Sequence, residues 1–172
     1  MGIHKVYPGH VKRKEMIYKP RHFIIQELVC QHVYNQFGER AYGFFDERLF
    51  MTIDFIRDHL GEMYVNNWDL NETQRKNMNL SLFDERGLRC TQCSLVQEAI
   101  RKHVVYCSAH LRGQAFDFNI KGMKTAQVQL WLITNFAILP FPVRLEKNTN
   151  GWNHIDVCNS GKSNYKVELF IA

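Results

Sequence analysis

The stretch Ser108-Ala109-His110-Leu111-Arg112-Gly113-Gln114-Ala115-Phe116-Asp117 limits what this chain can fold into more than any other. On one continuous helix, His110 and Asp117 would stand about 10 Å apart along the axis, too far to share a ligand. A chain that reverses near Gly113 brings them together instead. Beyond the reversal, Ala115, Asp117 and Asn119 alternate with Phe116, Phe118 and Ile120, the period of a half-buried strand. Asp117 then faces a site while the two phenylalanines face a core. The same alternation recurs around His154, with Trp152, His154 and Asp156 on one face and Ile155 and Val157 on the other. Two imidazoles and one carboxylate are a donor set that holds a catalytic zinc and leaves its fourth position open. The other histidines, His4, His10, His22, His32, His59 and His103, have no carboxylate or cysteine around them in a recognisable ligand pattern and read as solvated or structural.

The pattern Ser108-x-His110-x-x-Gly113-x-Ala115-x-Asp117, followed by Trp152-x-His154-x-Asp156, resembles the metal signature of the D-Ala-D-Ala carboxypeptidase and L-alanyl-D-glutamate endopeptidase family. Its members are zinc peptidases of peptidoglycan stem peptides with the hedgehog/DD-peptidase fold. The first half of the signature fits in order, and looser similarity extends the match over the region from Arg21 to Val157. The resemblance implies one Zn2+ ion held by His110, Asp117 and His154. Arg86-Gly87-Leu88-Arg89 is similar to the Gly-Tyr-Arg-type segment that members place beside the metal. Arg89 is thereby implied as a substrate-binding and catalytic group, clamping a substrate carboxylate or carbonyl, or stabilising the oxyanion. Ser108 is implied to line the substrate cleft, and Trp152 either lines it too or packs against the core.

Hydrolysis also needs a carboxylate to move protons. Many members carry that acid three residues before the last ligand, where this chain has Gly151. Phage-type members carry a glutamate on the preceding strand, and Glu146 falls in the comparable place. Two hairpin registers are open. A three-residue loop Thr149-Asn150-Gly151, with Gly151 left-handed, sets Glu146 opposite His154 and on its face. A two-residue Asn150-Gly151 turn sets Glu146 opposite Ile155, on the wrong face. The resemblance favours the first register and Glu146 as general base and then acid, with Asp156 in reserve.

With 172 residues, 45% of them hydrophobic, the chain suits one domain with a proper core. The net charge of +5 suits an anionic partner such as cell wall, although the charges are scattered. No apolar run spans a bilayer, and the basic segment from Met1 to Lys14 lacks the apolar stretch of a signal peptide. The expectation is synthesis in the cytoplasm, with action at the wall as a phage lysin or virion-associated enzyme. The five cysteines, Cys30, Cys90, Cys93, Cys107 and Cys158, read as reduced thiols. Cys90-Thr91-Gln92-Cys93 has zinc-knuckle or redox spacing, but no second pair of ligands stands out.

Along the chain, residues 1–19 read as an irregular basic arm and residues 20–172 as the peptidase-like domain. Pro20 to Phe23 reads as a leading strand, Ile24 to Phe37 as one amphipathic helix ended at Gly38, and Asp46 to Leu60 as a helix closed by Gly61. Met63 to Asn66 reads as a strand and Leu70 to Leu82 as a loop. Leu95 to Val104 and Thr125 to Ala137 read as helices, the latter stopped by Pro140. Val143 to Lys147, Trp152 to Cys158 and Tyr165 to Ile171 read as strands. The expected architecture is a single-domain α+β protein whose antiparallel sheet carries the metal site between flanking helices. The expected function is zinc-dependent hydrolysis of peptidoglycan stem peptides by a monomer that neither inserts in membranes nor binds nucleic acid. The competing class is a metal-containing binding module of the same fold without turnover.

Overall fold

A computed structural model of the chain describes residues 18–158 and 166–171. All but the last two residues of the basic arm therefore lie outside the described residues. Those two, Tyr18 and Lys19, are tied to the domain. The Tyr18 hydroxyl and the Arg21 amide both donate to the buried Asp54 carboxylate, at 2.8 Å each.

The chain opens with a single turn, α1 (Ile25–Leu28), then α2 (Gln31–Phe37) and a 3-10 segment (Gly38–Phe44). The expected continuous helix from Ile24 to Phe37 is thus broken at Val29 and Cys30, both in extended conformation. The break has a cause: Val29 forms a parallel bridge with Leu88, and the Cys30 amide donates to the Leu88 carbonyl at 2.9 Å. Pairing with a distant segment has replaced the helical bonds. The expected strand at Pro20 to Phe23 is a turn.

Helix α3 (Glu47–Leu60) follows the sequence closely. Asp46 caps its first turn by accepting from the Arg48 amide, and Gly61 closes it. The stretch expected as a loop holds a short helix, α4 (Glu72–Asn77). Asn71 and Gln74 form a reciprocal capping box there, so polar side chains supply the bonds that an apolar stripe does not. Then come α5 (Ser94–Arg101) and α6 (Thr125–Thr134).

Five strands form one sheet: β1 (Met63–Tyr64), β2 (Ala115–Ile120), β3 (Val143–Glu146), β4 (Asn153–Asp156) and β5 (Val167–Phe170). Their order is β1-β2-β4-β3-β5. The sheet is mixed rather than antiparallel, because β5 runs parallel to β3. The topology accounts for this. β2 already occupies the outer side of β4, so the last strand finds its edge beyond β3. A chain that leaves β4 and turns back there runs in the direction of β3.

One face of the sheet presents Phe116, Phe118, Leu145 and Ile155 to the core, all essentially buried. Leu49, Phe50, Ile53 and Ile56 of α3 belong to the same core, and the Phe50 and Phe116 rings stack with centroids 6.5 Å apart. The opposite face carries Asp117, Glu146, His154 and Asp156. The period-two alternation therefore sorts core from site, as the sequence implies. No helix among the described residues is long and apolar enough to cross a membrane.

Candidate metal centres

The reversal between His110 and Asp117 is built in three steps. Ser108 Oγ accepts from the His110 amide at 3.2 Å and starts a 3-10 turn (Ala109–Arg112). Gly113 ends it in the left-handed region, at φ 63°. A β-carbon there would sit 2.2 Å from the Phe44 carbonyl oxygen, so both conformation and space demand glycine. β2 then begins, and Asp117 pairs directly with His154 of β4.

Three donor atoms converge. His110 Nε2 lies 3.2 Å from His154 Nδ1 and 3.3 Å from Asp117 Oδ1, and His154 Nδ1 lies 2.7 Å from Asp117 Oδ1. A tetrahedral ion with nitrogen or oxygen ligands at about 2.0–2.1 Å has donor–donor edges of about 3.3 Å. The two edges from His110 match it, and the His154–Asp117 edge, at hydrogen-bond length, would open by about 0.6 Å on binding. These three residues, predicted from their spacing, could hold a metal.

The surrounding groups fix how each ligand points. His110 Nδ1 lies 2.8 Å from the Gly87 carbonyl oxygen, to which it donates, leaving Nε2 as the free donor. His154 turns Nδ1 to the triangle and Nε2 toward Asp156 Oδ2 at 3.5 Å. Asp156 is fully buried and held by both arms of the Arg144 guanidinium, at 2.8 and 2.7 Å. It serves as an orienting partner for His154, and its commitment to Arg144 removes it as a reserve base. Replacing Arg144 by Met is expected to weaken metal binding at this centre about 10- to 100-fold, as loss of an outer partner commonly does. A Co2+ titration followed by d–d absorption reads this, and an unchanged affinity would show that Asp156 holds His154 unaided.

Burial disfavours charge throughout the centre, and the hydrogen bonds oppose it selectively. Burial lowers His110 and outweighs the pull of Asp117. It also lowers His154, but hydrogen bonds to Asp117 and Asp156 prevail and push that imidazole up to about 9. Burial raises both carboxylates, yet their imidazole partners bring Asp117 well below the usual range. His154 and Arg144 likewise bring Asp156 to about 2.

The centre lies on a cavity of about 650 Å3 whose walls include Arg89, Ser108, Glu146 and Trp152, so every residue predicted for the site reaches it. The β3–β4 register pairs Arg144 with Asp156 and Leu145 with Ile155, which continues to Glu146 opposite His154. Gly151 at φ 90° supports the longer loop, so the register is the one that places Glu146 on the metal face. Gln129 of α6 braces this loop, donating to the Glu146 carbonyl and to Thr149 Oγ1.

Arg89 takes a different posture from a free clamp. Its Nη2 donates to Asp117 Oδ2 at 2.9 Å, its Nη1 to the Tyr106 hydroxyl at 2.6 Å and its Nε to the Glu85 carbonyl at 2.5 Å. It anchors a ligand and retains one spare N–H on each terminal nitrogen for the cavity. Ser108 likewise caps the turn as well as lining the cleft. Sequence reasoning missed Arg144, Tyr106 and Phe170. Phe170 lies edge-on to the His154 ring at 5.7 Å and under the Arg144 guanidinium at 4.7 Å. Phe170 arrives on the parallel strand β5, which an all-antiparallel expectation does not bring to this wall.

A second cluster was also missed. Ligand atoms of Cys30, His32, Cys90 and Cys93 lie within 4.8 Å of one another and could hold a metal ion. The second pair lacking beside Cys90 and Cys93 is therefore Cys30 and His32. A hydrogen bond to Cys93 is the largest of the causes that draw the Cys30 thiol down to about 5, and Cys93 is pushed up in turn.

Compared with family models, curated proteins and solved structures, the chain gives no match.

Proposed function

We propose that the His110–Asp117–His154 centre is the active site of a zinc-dependent peptidase of peptidoglycan stem peptides, of the D-Ala-D-Ala carboxypeptidase or L-alanyl-D-glutamate endopeptidase type. The observation that carries the proposal is the convergence of three donor atoms on the wall of an open cavity that Glu146 also lines. Two imidazoles and a carboxylate favour zinc among divalent ions and leave a coordination position for chemistry. A zinc ion held there would polarise a scissile carbonyl and make a neighbouring water more acidic.

The chain's own groups supply the rest. Glu146 takes a proton from the attacking water and returns it to the leaving amine. The spare N–H groups of Arg89 meet the substrate's carboxylate or the oxygen on which negative charge develops. Trp152, half-buried at the cavity wall, gives a flat apolar surface for the peptide. Asp156 and Arg144 keep the His154 ring in one orientation throughout.

The test is incubation of purified peptidoglycan with zinc-loaded protein, scored by new amino groups. Release that stops on chelation and returns with zinc is the expected result. Zinc-loaded protein that binds wall but releases nothing from several wall types would overturn turnover and leave the binding module.

A further inference from the structure

We propose that Cys30, His32, Cys90 and Cys93 form a closed structural metal site of the zinc type, which staples the arginine-bearing loop to the junction of α1 and α2. The inference is independent of whether the first centre cuts peptides.

Three thiols and one imidazole are a complete tetrahedral set, with no position left for a substrate. The spacing fits. Cys30 Sγ and Cys90 Sγ stand 3.7 Å apart, against an edge of about 3.8 Å for a tetrahedron with zinc–sulfur bonds of 2.3 Å. A disulfide would need about 2.05 Å, and all five cysteines are free. Backbone amides already face the sulfurs: Cys90 N donates to Cys93 Sγ at 3.3 Å and Gln92 N donates to Cys90 Sγ at 3.4 Å. These bonds curl residues 90–93 around one point. Cys30 and Cys93 close the site from the core side at 2% and 0% exposure, and the exposed His32 closes it from outside.

The location gives the site a purpose. Between the end of α4 and the start of α5, residues 78–93 contain no helix or strand, only the single bridge of Leu88 to Val29. So long an irregular segment inside a compact domain needs an anchor. An ion on Cys93 and on Cys90, the residue after Arg89, would tie the segment's end to Cys30. Arg89 in turn holds Asp117. The ion thus fixes the backbone from which an arginine reaches the first centre.

The experiment measures zinc per chain in full-length protein purified under reducing conditions, beside a His110→Ala/His154→Ala variant and a Cys90→Ser/Cys93→Ser variant. Two ions per chain are expected in the wild type and one in the histidine variant. Co2+ loaded into the histidine variant should give intense thiolate-to-metal charge-transfer absorption, absent from the cysteine variant. The histidine variant decides alone if the cysteine variant fails to fold. A histidine variant that holds no metal, Co2+ without charge-transfer bands, or a Cys90–Cys93 disulfide in metal-free protein would overturn the proposal.

Discussion

Glu146→Gln is expected to slow hydrolysis of purified peptidoglycan by about 10²- to 10⁴-fold, the usual contribution of a positioned acid–base group, while zinc content stays at the wild-type level. The amide preserves size and hydrogen bonding but cannot carry the proton. The expectation depends on Glu146 having no other occupation. Its most obvious partner, Arg144, is bound bidentately to Asp156. Lys147 adjoins Glu146 in sequence and is exposed. Among the described residues no ion pair engages the Glu146 carboxylate, although it lines the cavity opposite His154. The loss should fall on kcat rather than KM, because the proton moves in the transition state and not on binding. A variant as fast as wild type would move the base elsewhere, and buried Asp156 is badly placed to receive the role.

The metal face was legible because its information is local. Gly113 marks the reversal, strict alternation sets which side chains share a face, and both signals act within ten residues of each ligand. The hairpin register needed one more fact, since Asn150-Gly151 supports two turns and only the fold chooses between them. Long-range pairing was the information out of reach. The Val29–Leu88 bridge breaks an otherwise plausible helix, and that break creates the second cluster. On a continuous helix Cys30 and His32 would point about 160° apart, to nearly opposite sides. With Cys30 extended at the head of α2, both side chains turn toward Cys90 and Cys93. Cys-x-His beside Cys-x-x-Cys was the available signal. α4 was hidden for a different reason: its stabilisation is a polar cap, which hydrophobic periodicity does not register.

Gly87→Ala is expected to destabilise the protein by about 3 kcal/mol, lowering the melting temperature by about 6–12 °C. A β-carbon at this position would lie 1.9 Å from the Leu28 carbonyl oxygen and 2.5 Å from the Leu28 carbonyl carbon. Neither atom belongs to a side chain that can swing away. Both belong to the backbone that accepts the Leu88 amide at 2.9 Å, so the extra methyl must pry α1 from the arginine-bearing loop. The separation would be felt at both centres. On one side the Gly87 carbonyl holds the Nδ1–H of His110, and losing it frees the ring to rotate away from the triangle. On the other side the Cys30–Leu88 bond keeps Cys30 beside Cys90. A calorimetric melt with zinc analysis of the surviving folded protein distinguishes the outcomes. Loss of stability together with weakened metal retention is expected. A variant that melts with wild type and keeps its metal would show that the loop can slide past Leu28, and that the two centres are not joined through this contact.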